Sequence, residues 1–147
     1  MTWPLNEPDI DALAREALNL LSLEIDELYT MLGCQLLASA PPARTAGIII
    51  GIRELRKADR VDGDEVEGIY RELNDDGRKF IETMRQEFQK NLCNKNIFDL
   101  ADDVDESKMQ ILIIIISAIL KVPPQFESIS ATVAAMMCKS LLKELCR

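Results

Sequence analysis

The sequence predicts an all-α protein: a four- or five-helix bundle with antiparallel neighbours and a very apolar central helix near residues 105–121. Three observations carry this. Apolar residues recur at three- and four-residue steps through most of the chain, the rhythm of one helix face. Two proline pairs, Pro41–Pro42 and Pro123–Pro124, interrupt that rhythm where helices must stop. No glycine-serine linker or low-complexity tract divides the 147 residues, a length that one domain fills with a sizeable core. The chain is therefore read as a single helical domain, 1–147, with residues 1–8 expected to form a mobile N-terminus.

From Asp9, the residues Ile10, Leu13, Ala17, Leu21, Ile25, Leu28, Leu32 and Leu36 mark one long amphipathic stripe, which SAPPAR at 39–44 ends. In ARTAGIIIGIRELRKADR, Ile48, Ile52 and Leu55 keep helical spacing, while three consecutive isoleucines leave a strand open as the alternative. Ala43, Gly47 and Gly51 fall four apart, a small-residue device that lets another backbone approach closely. After the turn signal DRVDGDEVE comes the strongest stripe: Val66, Ile69, Leu73, Gly77, Phe80, Met84, Phe88 and Leu92. Gly77 lies in register on it, so NDDG at 74–77 is read as a close-packing point inside a helix of about 28 residues, roughly 42 Å long.

Past NLCNKN and a short acidic connection, Asp103 with Glu106 is expected to cap a helix through Lys121, and the Val-Pro-Pro at 122–124 ends it. The apolar run from Met109 to Val122 falls short of the roughly 18 residues a membrane span needs, so it reads as the innermost helix, with a strand as the alternative. The last helix carries Phe126, Ile129, Val133, Met137, Leu141 and Leu145. Lys139 and Lys143 suit the negative end of its dipole.

The formal charge of -8 repels phosphate backbones and anionic lipid headgroups, which disfavours general nucleic-acid binding. Positive charge gathers at Arg53, Arg56, Lys57 and Arg60, at helical spacing. That stripe is expected to pair with acidic helices of this chain or of a protein partner, or to be solvated; no aromatic residues are interleaved with it to stack bases. The sequence contains no histidine. Ser-His-Asp and Cys-His catalysis and histidine metal ligation are thereby excluded, and neither GxxxxGK[ST] nor GxGxxG is present. DRVDGDEVE lacks the oxygen ligands an EF-hand requires. Cys34, Cys93, Cys138 and Cys146 form no Cys-x-x-Cys. With no basic-then-apolar secretory leader at the N-terminus, they are expected to be free thiols in a reducing, cytoplasmic location.

The expected function is a non-enzymatic helical protein–protein interaction module: an adaptor, a regulator or a homo-oligomer subunit with no cofactor. The alternative is enzymatic. Glu24-x-x-Glu27 on the first helix and Glu72-x-x-Asp75 on a later one could hold Mg²⁺ by hard oxygen coordination. This pattern is similar to that of all-α nucleotide pyrophosphohydrolases of the MazG type, and the resemblance implies Mg²⁺-dependent nucleotide hydrolysis. A third reading, conditional membrane insertion of 109–142 as a helical hairpin, is opposed by the internal charges Lys121, Glu127 and Lys139.

Overall fold

A computed structural model describes residues 7–38, 63–121 and 127–147. All regular structure among the described residues is helical, without strands. The elements are α1 (Glu7–Leu20), α2 (Ile25–Ala38), α3 (Gly63–Leu92), α4 (Lys95–Ala101), α5 (Glu106–Leu120) and α6 (Glu127–Met136). A π-helical turn (Met137–Leu141) and α7 (Leu142–Leu145) follow. The expected element within 43–60, its strand alternative, both proline pairs and Phe126 lie outside the described residues.

The single first helix expected from the periodicity is two helices. Its start is earlier than expected, so that Glu7 and Pro8 belong to α1, and it breaks after Leu20. There the backbone tightens into three-residue bonds, with Leu21, Ser22 and Leu23 donating to the carbonyls of Leu18, Asn19 and Leu20. The chain then restarts at a cap. Glu27 Oε1 accepts from the Glu24 backbone N–H at 3.2 Å, the reaching-back half of a capping box, which satisfies an amide at a helix start. The Glu24-x-x-Glu27 spacing is thus the signature of a helix boundary.

α3 runs unbroken for 30 residues through Gly77, as the stripe predicts. Leu73, Gly77, Ile81, Phe88 and Leu92 are buried along it. α4 stands where the sequence predicts only a short acidic connection. Asn94 caps it by accepting from the Ile97 N–H at 3.1 Å, and Ile97 is its buried anchor. The cap of α5 is Asp105, whose Oδ1 accepts from the Lys108 N–H at 2.8 Å. Asp103, the expected cap, instead takes a left-handed backbone with φ 49° in the turn after α4, a conformation Asp tolerates better than most residues.

α5 ends at Lys121, also left-handed, with φ 52° and ψ 45°, its N–H donating to the Ser117 carbonyl at 2.9 Å. Glycine is the usual residue there because a Cβ is penalised. Lys121→Gly is therefore expected to raise stability by about 1 kcal/mol, read as an upward shift in the chemical-denaturation midpoint at unchanged slope.

Burial corrects the expectation of an innermost 105–121 helix. In α5, Met109, Leu112, Ile113, Ile116 and Ser117 are buried, but Ile111, Ile114 and Ala118 face solvent. α6 is the enclosed helix: every residue from Ser128 to Met137 is buried, and it packs on α1, α2 and α5. Its small residues, Ser128, Ser130, Ala131, Thr132, Ala134 and Ala135, let three neighbours close around it. From α6 to the C-terminal end, Val133, Met137, Leu141 and Leu145 are four apart, so on a regular helix the stripe would drift by about 40° per step. The wider i→i+5 winding of the π turn absorbs this drift, and all four side chains remain buried.

Candidate interaction surface

Four large apolar side chains are exposed among the described residues: Ile69, Phe98, Ile111 and Ile114. Two of them share the outer face of α5, where Ile111 is 46% and Ile114 41% exposed. Ser107, Ala118 and Lys121 are exposed on the same face. The order 107, 111, 114, 118, 121 steps by four, three, four and three residues, the spacing that keeps a seam pointed at a facing helix. The expectation of a central helix holds for one side of this isoleucine run only. The second stripe, offset from that of Met109, Leu112 and Ile116, was the available signal.

The crossing of α2 and α3 is organised very differently, by close approach and a polar network. A Cβ built on Gly77 would lie 2.0 Å from the Tyr29 carbonyl oxygen, and one on Gly33 would lie 1.9 Å from that of Leu73. At the edge of this contact Asn74 Nδ2 donates to Asp26 Oδ1 at 3.0 Å, to the Asp26 carbonyl at 2.9 Å and to Thr30 Oγ1 at 3.1 Å. Arg78 closes the network, donating from Nε to Asn74 Oδ1 at 2.7 Å and from Nη2 to Asp26 Oδ1 at 2.9 Å, with its guanidinium 4.2 Å from the Tyr29 ring centroid. Tyr70 OH donates to the other Asp26 oxygen at 3.2 Å. Every one of these groups fixes the register of two helices, which is structural work.

The carboxylates proposed for Mg²⁺ do not gather. Glu27 is buried at the start of α2, while Glu24, Glu72 and Asp75 are exposed. On the same stretch of α3 the buried residues are Leu73, Asn74 and Gly77. Among the described residues no group of three Asp, Glu, Cys or His side chains converges to hold a metal ion. The basic stripe of Arg53, Arg56, Lys57 and Arg60 lies outside the described residues. No helix among the described residues is long and apolar enough to cross a membrane.

A surface cavity of about 400 Å³ lies between α4 and the π turn, lined by Phe98, Asp102, Asp103, Cys138, Lys139 and Leu142, among others. Two of its polar groups are committed elsewhere. Lys139 Nζ donates to the Leu21 carbonyl at 2.8 Å, closing the end of α1, and Lys108 Nζ takes the Asp102 carbonyl at 3.1 Å. Burial pushes the Cys138 thiol up to about 11, so it stays protonated and non-nucleophilic near neutrality. Alkylation of Cys138 at pH 8, followed by peptide mass spectrometry, is expected to run at least about tenfold slower in the native protein than in urea. Because the folded-state value lies above the unfolded one, the burial of this thiol favours folding below the unfolded value. That contribution is lost as pH rises from about 9 through about 11.

The four thiols are not all free. Cys93, just after α3, and Cys146, at the end of α7, form a disulfide with a Cα–Cα separation of 5.5 Å, whereas Cys34 and Cys138 remain thiols. The expectation of four free thiols is corrected for Cys93 and Cys146, which the fold brings together across 53 residues of chain.

Comparison with known proteins finds no matching family model, no matching curated protein and no matching solved structure.

Proposed function

We propose that the chain is a non-enzymatic helical interaction module, an adaptor, regulator or homo-oligomer subunit, that works through the outer face of α5. The carrying observation is the Ile111–Ile114–Ala118 seam, apolar, solvent-facing and spaced for a helix. Isolated exposed apolar residues are ordinary on a protein surface, but a row aligned along one helix has the form of a docking face. The proposed scaffold behind it is a bundle with antiparallel neighbours. Supporting this, the α2–α3 contacts run in opposite chain directions: Asp26 meets Arg78, Tyr29 meets Gly77 and Gly33 meets Leu73. The partner is a protein rather than nucleic acid, given the charge of -8.

A photo-crosslinking amino acid placed at Ile111, and as a control at the exposed Glu82 of α3, tests the reading in the cell of origin. A discrete protein adduct is expected from position 111 and not from position 82. Equal labelling at both positions, or none at 111, would refute it.

A further inference from the structure

The seam on α5 also carries information about what covers it. We propose that the occupant is a second copy of this chain, seated α5 against α5 in opposite directions about a two-fold axis near Ile114. This rests on the interaction reading above and names its partner.

The first argument is spacing. A face repeating at four and three residues meshes with another helix at a shallow crossing angle, whereas a flat sheet or an irregular loop does not select that repeat. The second is the order of charges. Glu106 stands exposed at the N-terminal end of α5 and Lys121 at its C-terminal end. An antiparallel copy sets each acidic end beside the other copy's Lys121, and it also pairs opposite ends of the two helix dipoles. A parallel copy would place like charges together at both ends. The third is size matching. Around an axis near Ile114, Ile111 of one copy falls beside Ala118 of the other, large against small, with the two Ile114 side chains at the centre. This is the self-complementarity a two-fold interface requires.

The net charge of -8 on each copy opposes the approach at long range. Salt screens that repulsion over a Debye length of about 8 Å at physiological ionic strength, while the apolar seam is unaffected. The dimer is therefore expected to strengthen between low and physiological salt, the reverse of a contact held by ion pairs alone.

The test is sedimentation velocity on the full chain over about 10 μM to 1 mM, in low and physiological salt. A monomer–dimer equilibrium that shifts toward dimer with salt is expected. Ile114→Glu, at a position 41% exposed, is expected to keep the circular dichroism of the native chain and to weaken dimerisation at least tenfold. Lys121→Glu should weaken it less, and adding Glu106→Lys to that variant should restore it. For direction, an Ile111→Cys chain mixed with an Ala118→Cys chain should form mixed disulfides in preference to 111–111 pairs. A monomer throughout the range would overturn the proposal, as would a dimer indifferent to Ile114→Glu, or one that crosslinks 111 to 111. An adduct of another mass from position 111 in cells, with a strictly monomeric purified chain, would leave the interaction reading standing and remove the second copy as its partner. If no adduct forms but the dimer is present in solution, the cellular role falls and the self-recognition stands.

Discussion

Gly77→Ala is expected to destabilise the protein by about 3 kcal/mol or more, while Gly68→Ala on the same helix stabilises it by about 1 kcal/mol. Both glycines lie within α3, and in both cases alanine improves helix propensity by the same increment. The difference is what the new methyl group meets. Around Gly68 there is nothing within 4 Å. At Gly77 the methyl would lie 2.0 Å from the Tyr29 oxygen, 2.9 Å from the carbonyl carbon behind it and 3.3 Å from the Gly33 amide nitrogen. These are backbone atoms of α2 and cannot rotate aside, so α2 and α3 must move apart by about 1 Å. That displacement loosens the dispersion contacts of the whole crossing and stretches the Asp26–Asn74–Arg78 hydrogen bonds beside it. Gly33→Ala makes the reciprocal clash with Leu73. Once one substitution has separated the helices, the second costs little more, so the double variant is expected to lose clearly less than the sum of the two singles. Urea denaturation of the four variants checks this. Equal effects at positions 68 and 77, or strict additivity of 33 and 77, would show that the helices do not touch at their glycines.

The close approach at Gly77 was legible in the sequence because it needs only one helix: a glycine in register on an apolar stripe has few other uses. Its counterpart Gly33 was not, since nothing within α2 distinguishes a contact glycine from a tolerated one. The break between α1 and α2 was written in Glu24-x-x-Glu27, but the same two carboxylates at the same spacing also suit a metal ligand pair, and only the position of the Glu24 amide decides between them. The continuous stripe of leucines and isoleucines concealed the break because α1 and α2 both bury apolar residues, Leu20 and Leu28 among them, on either side of it. The identity of the enclosed helix was misjudged for a physical reason. Mean apolarity favours α5, with its four consecutive isoleucines, yet enclosure by three neighbours needs slender side chains, and SISATVAAMM at 128–137 supplies them. Excess apolarity on α5 is therefore informative in another way: residues such as Ile111 and Ile114 exceed what the chain's own core uses.

Loss of the Cys93–Cys146 bond is expected to cost about 2–4 kcal/mol. The bond closes a loop whose ends are 53 residues apart, and on the chain-entropy account a loop of that length removes about 4 kcal/mol of unfolded-state freedom, an upper figure because unfolded chains retain structure. Cys93→Ser should therefore lower the melting temperature by about 5–15 °C in non-reducing buffer. A thiol reductant should lower that of the native sequence by a similar amount and leave Cys93→Ser unchanged. The fold itself should survive. Leu142 and Leu145 of α7 are buried, and Gln89 Nε2 holds the Leu145 carbonyl at 2.9 Å, so the C-terminal end keeps two attachments that need no sulfur. This separates the bond's effect from that of the core and makes it a test of the compartment. A disulfide persists where oxidant prevails over cellular thiols, and the reduced pair persists where it does not. Cells quenched in acid and alkylated before lysis therefore report directly: modified Cys93 and Cys146 place the chain in the reducing setting expected from its sequence, and an unmodified pair 2 Da lighter places it outside. If the reductant leaves the melting temperature of the native sequence where it was, the two cysteines are neighbours without being partners.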